Sequence, residues 1–153
     1  MFQDFEEFVA LLQKNKVRCL IVGAYAVSFY ASPRSTGDLD ILIDPDPRNA
    51  RKMLTALKTF LGCDLGLTEK DFIETGEIVQ IGVAPVRIDL LKALPGSPGF
   101  KTLWKRKTAA HFGKVPVHFI GKEDLIFAKE QAGRPKDKID LKNLKRTRKN
   151  SSC

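Results

Sequence analysis

Two aspartates separated by one residue, Asp38 and Asp40, open an apolar run that extends to Ile43. This run predicts a β-strand. Because successive side chains of a strand point to opposite faces, both carboxylates should lie on one face, close enough to hold a divalent metal ion together. No other segment of the chain indicates its chemistry as strongly.

A third carboxylate, Asp89, lies in a second apolar segment, where an acid is costly unless it is paired, hydrated or bound to metal. If this segment is a strand beside the first, three oxygen ligands converge. Such a site suits Mg²⁺ or Mn²⁺ and chemistry on phosphates. In the alternative, Asp38 caps a strand and Asp40 faces solvent. Asp89 would then pair with Arg87 or Arg34.

A turn of small residues, Gly23-Ala24, joins a short predicted strand to a predicted helix just before the aspartates. Small residues let a triphosphate approach the backbone, and the N–H groups and dipole of the helix N-terminus favour anions. The turn therefore indicates a phosphate cradle beside the metal site. The alternative is a simple corner packed by small side chains.

Hydrophobic periodicity and turn residues predict alternating helices and strands along the 153 residues. Helices are predicted at 2–13, 24–30, 47–61, 122–132 and 135–144, and strands at 17–22, from Asp38, at 77–83, 86–91 and 115–120. Residues 62–76 and the stretch around Trp104 show no clear pattern. We expect one domain over residues 1–148 and a disordered tail over 149–153.

Charge is divided unevenly along the chain. Residues 1–100 carry 11 Lys and Arg against 13 Asp and Glu, whereas residues 101–153 carry 15 against 5. A basic last third joined to an acidic, metal-suited first part indicates a polyanionic substrate, because phosphate contacts supply most sequence-independent affinity for nucleic acid. The alternative is a solvated basic face.

Cysteines and the N-terminal residues indicate the compartment. Cys19, Cys63 and Cys153 are far apart and odd in number, which predicts reduced thiols rather than a zinc site or disulfide framework. The first twenty residues include acids and lack an unbroken apolar stretch, so we expect neither a secretory signal nor a membrane span. These features predict a cytoplasmic protein with no membrane partner.

Two side chains of the C-terminal helices are predicted to point inward. Lys129 follows Leu125 by four residues, on the apolar face of its helix, and Asp137 shares a face with Leu141. One interpretation is an ion pair that braces the two helices, with a net stabilisation reduced by desolvation. The functional alternative is that Lys129 binds nucleotide phosphate and Asp137 orients it or the acceptor.

Taken together, these motifs resemble the nucleotidyltransferase superfamily of the DNA polymerase β type. The pattern of that superfamily is an apolar residue, Gly, then Gly or Ser, a spacer, Asp-x-Asp opening a strand, and a third acid on a later strand. The segments Gly23-Ala-Tyr-Ala-Val27 and Pro33-Arg-Ser-Thr-Gly-Asp-Leu-Asp40 look more closely like the AbiEii-like bacterial nucleotidyltransferases. The later Lys129 and Arg134-Pro-Lys-Asp-Lys-Ile-Asp-Leu141 are similar to further motifs of that group. One departure is Ala24, which stands where the pattern has Gly or Ser.

The resemblance implies an α/β (α+β) fold, the minimal nucleotidyltransferase fold, with a mixed sheet flanked by helices and further helices at the C-terminus. It implies an enzyme that moves a nucleoside monophosphate from a nucleoside triphosphate to an acceptor hydroxyl. The implied catalytic and metal residues are Asp38, Asp40 and Asp89, and the implied nucleotide-binding residues are Gly23, Ala24, Arg34, Thr36, Lys129 and Asp137.

The acceptor is less constrained than the donor. The basic last third favours RNA, and the resemblance to AbiEii-like toxins implies the 3′ end of a tRNA and an antitoxin partner. A small hydroxylated antibiotic is the enzymatic alternative. A catalytically silent nucleic-acid-binding module is a third hypothesis, to which Ala24 gives some support and against which the three aspartates argue.

Overall fold

The computed structural model describes residues 2–31, 37–74, 78–83 and 86–151. Its helices are α1 (Phe2–Lys14), α2 (Gly23–Tyr30), α3 (Pro47–Leu61), α4 (Lys70–Ile73), α5 (Phe100–Lys105), α6 (Lys122–Ala132) and α7 (Pro135–Ser151). Its strands are β1 (Cys19–Val22), β2 (Asp38–Ile43), β3 (Val79–Val83), β4 (Val86–Leu91), β5 (Thr108–Phe112) and β6 (Val115–Phe119). The predicted α+β class, a mixed sheet with helices, is therefore confirmed.

The six strands form one sheet in the order β3-β4-β2-β1-β6-β5. Strand β2 runs antiparallel to β1 and parallel to β4, and β3 pairs antiparallel with β4 as the predicted hairpin. Strand β1 pairs parallel with β6, and β6 pairs antiparallel with β5. The first acidic strand and the strand of the third acid are thus neighbours.

Helices cover both faces of the sheet. In β2 the fully buried Leu39, Ile41 and Ile43 alternate with Asp38 and Asp40. Helix α1 lies on the Ile41 face and contacts α3, whereas α6 and α7 lie on the aspartate face and contact α2. The apolar face of β2 anchors the strand in the core and leaves its acidic face directed at α6 and α7.

Capping residues explain why helix α3 begins and ends where it does. The side chain of Asp46 accepts a hydrogen bond from the Arg48 N–H at 2.9 Å, Pro47 occupies the first helical position, and Gly62 ends α3 with φ +71°. From α3 the buried Asn49 donates to the carbonyl oxygens of Arg18 and Asp44. This side chain fastens the start of β1 to the end of β2.

Helix α5 and strand β5 occupy the stretch around Trp104, where no clear sequence pattern is present. Both elements are short, and β5 contains two alanines instead of an apolar alternation. The available signal was the two-residue connection Gly113-Lys114 before Val115, because glycine at the first position of such a loop favours a hairpin. Gly113 has φ +61°, and Phe112 pairs with Val115 across this loop.

Helix α7 extends to Ser151, and residues 152–153 lie outside the described part of the chain. The limits of the domain and the tail at 149–153 stay predictions. No helix within the described ranges has the length and apolar character needed to cross a membrane.

Candidate active site

The register of β2 and β4 places four charged side chains on one face of the sheet. Asp38 lies opposite Arg87, and Asp40 lies opposite Asp89, in parallel strands. We call these four residues the sheet cluster. Because paired residues of neighbouring strands point the same way, the three acids predicted as a metal site face one space.

Arg87 joins two of the acids of the sheet cluster. Its Nη2 donates to Asp38 Oδ2 at 2.8 Å and to Asp89 Oδ2 at 3.3 Å, and its Nε lies 3.2 Å from Asp89 Oδ1. The Asp89 side chain is 10% exposed and that of Asp38 is 39% exposed. One guanidinium therefore compensates two carboxylates, one of them nearly buried.

The ionisation of Asp40 in the sheet cluster is strongly shifted. Its pKa is raised to about 6, mainly by burial and then by the negative charges of Asp89 and Asp38. A hydrogen bond with Asp89 acts in the same direction, whereas the positive charge of Lys129 opposes the shift. Asp40 is thus a carboxyl group that lacks sufficient positive charge, and a bound cation would favour its ionised form.

The predicted phosphate turn lies directly against Asp40. Gly23 begins α2 with φ +66°, and a Cβ built on it would overlap the carboxylate of Asp40. Glycine is therefore needed here for its backbone conformation and for the space it leaves. The same turn carries Ala24, so the N-terminus of α2 and the sheet cluster share one corner.

A second charged group connects α6 and α7. Lys129 Nζ lies 3.0 Å from Asp137 Oδ1 and 3.1 Å from Asp140 Oδ2, and Arg134 Nε donates to Asp137 Oδ2 at 2.7 Å. We call these four residues the helix cluster. The side chains of both aspartates are 0% exposed. The predicted inward Lys129 and its pairing with Asp137 are present, and Asp140 is a further partner.

Ionisation in the helix cluster is shifted in the opposite sense. Burial alone would raise the pKa of Asp137, but hydrogen bonds from Arg134 and Lys129, together with the charge of Lys129, outweigh it and bring the pKa to about 2. The hydrogen bond to Asp137 raises the pKa of Arg134. Asp137 is therefore an ionised, fully compensated carboxylate.

Residues of both clusters line one cavity of about 430 Å³. Seven of the predicted site residues border it, namely Gly23, Ala24, Asp38, Asp40, Asp89, Lys129 and Asp137. Arg34 and Thr36 lie outside the described residues. The cavity is also lined by Arg87, Arg134 and Lys136, which the sequence analysis did not select as site residues. Arg134 and Lys136 lie in the segment quoted for the resemblance, so that motif was a signal for them.

A larger cavity, of about 610 Å³, lies on the opposite face between α1 and the β5–β6 hairpin. Its lining is mostly apolar, with Trp104, two histidines and the cations Lys16 and Arg18, and it includes no Asp or Glu. Lys107 Nζ lies 4.2 Å from the centre of the Trp104 ring. Because its lining supplies no carboxylate ligands, the candidate active site is the smaller cavity of the two clusters.

The sheet cluster has the ligand atoms that a divalent cation needs, but its side chains are not arranged around a cation position. Three carboxylates supply the hard oxygen ligands that Mg²⁺ prefers, and the raised pKa of Asp40 indicates a deficit of positive charge. However, within residues 2–31, 37–74, 78–83 and 86–151 no three His, Cys, Asp or Glu side chains are arranged to hold a metal ion. The guanidinium of Arg87 already engages Asp38 and Asp89.

A family comparison supports this picture. Residues 1–147 match the family described as a nucleotidyltransferase of unknown function, DUF6036. The chain belongs to this nucleotidyltransferase family. Nucleotidyltransferases are enzymes that take a nucleoside triphosphate, and they generally use divalent metal ions. No curated protein matches the chain at a significant level.

Solved structures of other nucleotidyltransferases share the fold. The antibiotic-resistance factor ANT(2″)-Ia has a TM-score of 0.59 at 13% identity, over 95% of this chain and 81% of that one. A nucleotidyltransferase-like antigenic protein from Paracoccidioides brasiliensis has a TM-score of 0.57 at 14% identity, over 95% and 74%. The lincosamide antibiotic adenylyltransferase LnuA, with bound lincomycin, has a TM-score of 0.56 at 15% identity, over 94% and 95%. At these identities the likeness concerns the fold alone.

Proposed function

We propose that this nucleotidyltransferase moves a nucleoside monophosphate from a nucleoside triphosphate to a hydroxyl group of RNA, and that the acceptor is the 3′ end of a tRNA. The observation that carries the transfer reaction is the shared cavity, in which Asp38, Asp40 and Asp89 face the turn at Gly23. In this proposal the protein is an AbiEii-like toxin whose activity an antitoxin partner restrains.

Each group of the cavity has a separate task. Mg²⁺ or Mn²⁺ bound by Asp38, Asp40 and Asp89 would neutralise the triphosphate oxygens and polarise the phosphorus under attack. The backbone N–H groups at Gly23 and Ala24 hold phosphate at the N-terminus of α2. Arg34 and Thr36 belong to the same proposal as further phosphate contacts.

The helices supply cations to the same cavity. Lys129 is held in place by two buried aspartates, and Arg134 extends from Asp137 with a side chain that is 58% exposed. In our proposal the ammonium group of Lys129 faces the phosphates, while Asp137 fixes the direction of Lys129 and Arg134. The catalytic contribution of these residues is positioning and charge neutralisation.

The transfer step is an in-line displacement. The oxygen of the acceptor hydroxyl forms a bond to the α-phosphorus, and the bond from that phosphorus to the oxygen bridging the α- and β-phosphates breaks. Pyrophosphate leaves with the electron pair. The hydroxyl proton passes to the carboxylate of Asp89, which lies beside Asp40 in the neighbouring strand.

The surface of α7 favours RNA as the acceptor. Its two acids, Asp137 and Asp140, are buried in the helix cluster. Among the α7 side chains that the structure describes, the exposed charged ones are all basic, namely Lys136, Lys138, Lys142, Lys145 and Arg146. Because α7 also borders the cavity, this stripe of cations leads from the candidate active site along the helix, as a polyanionic acceptor would require.

A small hydroxylated molecule is the second candidate acceptor. The cavity has the size of a drug-binding site, and Ile78, Leu91 and Leu94 give it an apolar side. Two of the structurally similar proteins are described as an antibiotic-resistance factor and an antibiotic adenylyltransferase. A polycationic drug fits less well, because beyond the sheet cluster the lining offers Asp137 alone as an acid, and Asp137 is already paired.

The test is transfer of label from each of the four ribonucleoside triphosphates, radiolabelled at the α-phosphate, to total RNA or to lincosamide and aminoglycoside antibiotics. We expect a labelled band of tRNA length that Asp40→Asn reduces by at least about 10³-fold, or ~4 kcal/mol. Label on an antibiotic and not on RNA would establish the second candidate. No transfer to any acceptor, with no binding of metal–nucleotide, would establish the silent module.

A second experiment separates the two acceptors through α7. Replacing Lys142 and Lys145 by Ala removes two cations from the stripe and should lower the salt slope of RNA binding by about 1.4. The matched control replaces Arg48 and Lys52, exposed on α3 at the other face of the sheet, and should leave the slope unchanged. Equal slopes in both variants would contradict the assignment of α7 to RNA.

A further inference from the structure

Arg87 contacts the same two carboxylates, Asp38 and Asp89, that a divalent cation would bind. Its guanidinium contacts Asp38 at 2.8 Å and Asp89 at 3.2 and 3.3 Å. A divalent ion bound by the same carboxylates would lie within a few ångströms of this positive charge. Arg87 and a metal ion therefore compete for Asp38 and Asp89.

Arg87 also has room to move towards the cavity. It borders the cavity, and its side chain is 35% exposed. Its partner across the antiparallel β3 strand is Gly82, which offers no side chain on that face. Unlike Lys129, which two fully buried aspartates hold, Arg87 can change its contacts without opening the core.

From this geometry we propose that Arg87 is a displaceable counter-ion of the sheet cluster. Its guanidinium holds Asp38 and Asp89 in position until a divalent cation binds them, and it then turns to the triphosphate that enters the same cavity. Arg87 would thus couple metal binding to nucleotide binding, because it leaves the carboxylates most readily when phosphate oxygens are available to it. The inference rests on the proposed metal-dependent transfer.

The experiment measures Mn²⁺ binding by electron paramagnetic resonance of the free ion, with and without a non-hydrolysable nucleoside triphosphate. Arg87→Gln should bind Mn²⁺ alone at least about tenfold more tightly than the natural chain. The same variant should bind the Mn²⁺–nucleotide complex at least about tenfold more weakly. If Arg87 served folding alone, Arg87→Gln would not change these two affinities in opposite directions.

Arg106→Gln is the matched control, because Arg106 Nη1 pairs with the nearly buried Asp124 at 2.9 Å outside the cavity lining. It removes one guanidinium from one aspartate and should leave both affinities unchanged. If Arg87→Gln binds Mn²⁺ alone no more tightly than the natural chain, the inference is wrong. If Asp40→Asn abolishes metal–nucleotide binding in that case, the proposed function survives the failure of the inference.

A measurement on the natural chain covers the case in which Arg87→Gln does not fold. Arg87→Lys retains the positive charge and identifies the Arg87 Nε–H signal in a spectrum of ¹⁵N-arginine-labelled protein. Adding Mg²⁺ with nucleotide should shift this signal in a saturable way and leave that of Arg106 in place. An unmoved Arg87 signal at saturation would overturn the inference, and absence of any metal–nucleotide binding would overturn both proposals.

Discussion

The sheet cluster and the helix cluster border the same cavity and are balanced in opposite ways. In the sheet cluster the guanidinium of Arg87 pairs with Asp38 and Asp89, and the pKa of Asp40 is raised to about 6. In the helix cluster two carboxylates share Lys129 and Arg134, and the pKa of Asp137 is lowered to about 2. Surplus negative charge marks a place for an incoming cation, whereas a balanced buried group fixes two helices.

The largest effect on stability should come from breaking the helix cluster. Asp137→Asn leaves the ammonium group of Lys129, whose side chain is only 8% exposed, with reduced compensation. We expect a loss of about 3–5 kcal/mol in the free energy of unfolding, measured by urea denaturation. The control is Glu130→Gln, which removes the exposed pair with Lys145 and should cost less than about 1 kcal/mol. Similar losses in both variants would contradict the comparison.

The turn at Gly23 tests the sheet cluster through geometry instead of charge. Gly23→Ala places a methyl group where the Asp40 carboxylate lies, so Asp40 must move, and we expect label transfer to fall about 10²-fold. Gly62→Ala is the matched control, because Gly62 has a similar φ of +71° and nothing within 4 Å of its added Cβ. It should cost about 1–2 kcal/mol of stability and leave transfer unchanged. Equal transfer in both variants would separate Asp40 from the turn.

Much of this arrangement was predictable from the sequence, because it depends on alternation within single elements. The shared face of Asp38 and Asp40 follows from the strand period, and the inward Lys129 follows from helical spacing. Strand pairing is different, since the order β4-β2-β1 and its register arise from contacts between segments distant in sequence. A register shifted by one residue would point Asp89 to the other face. The sequence therefore named Arg87 as a possible partner of Asp89 without revealing that it joins Asp89 to Asp38.

Asp40→Asn should have opposite effects on stability and on transfer. A folded-state pKa of about 6 against an ordinary value of 3.8 means that the folded chain binds the extra proton. The contribution of Asp40 to stability is then present below about pH 4 and is lost as the pH rises through about 6. In EDTA at pH 7–8 the variant should therefore be about 1–3 kcal/mol more stable than the natural chain, with the gain fading towards pH 4.

The effect of Asp137→Asn on the free energy of unfolding should change with pH in the opposite sense. The two variants together therefore test whether the two clusters differ in charge balance. Because the folded-state pKa of Asp137 is about 2, its contribution is present above about pH 4 and is lost as the pH falls through about 2. The loss caused by Asp137→Asn should therefore shrink in acid, whereas the gain from Asp40→Asn should grow towards neutral pH. Parallel profiles from urea denaturation at each pH would show that the clusters do not differ.

The smallest effect on stability should come from Arg134, which belongs to the helix cluster and also borders the cavity. Its side chain is 58% exposed, and Asp137 keeps Lys129 when Arg134 is removed, so Arg134→Gln should cost clearly less than the ~3–5 kcal/mol expected for Asp137→Asn. If Arg134 serves the phosphates, the dissociation constant of the metal–nucleotide complex should rise about tenfold in calorimetric titration, while Arg106→Gln leaves it unchanged. A larger loss of stability with unchanged nucleotide binding would assign Arg134 wholly to the scaffold. In that case the residues that bind nucleotide would lie in the sheet cluster, and the helix cluster, Arg134 included, would only hold α6 and α7 together.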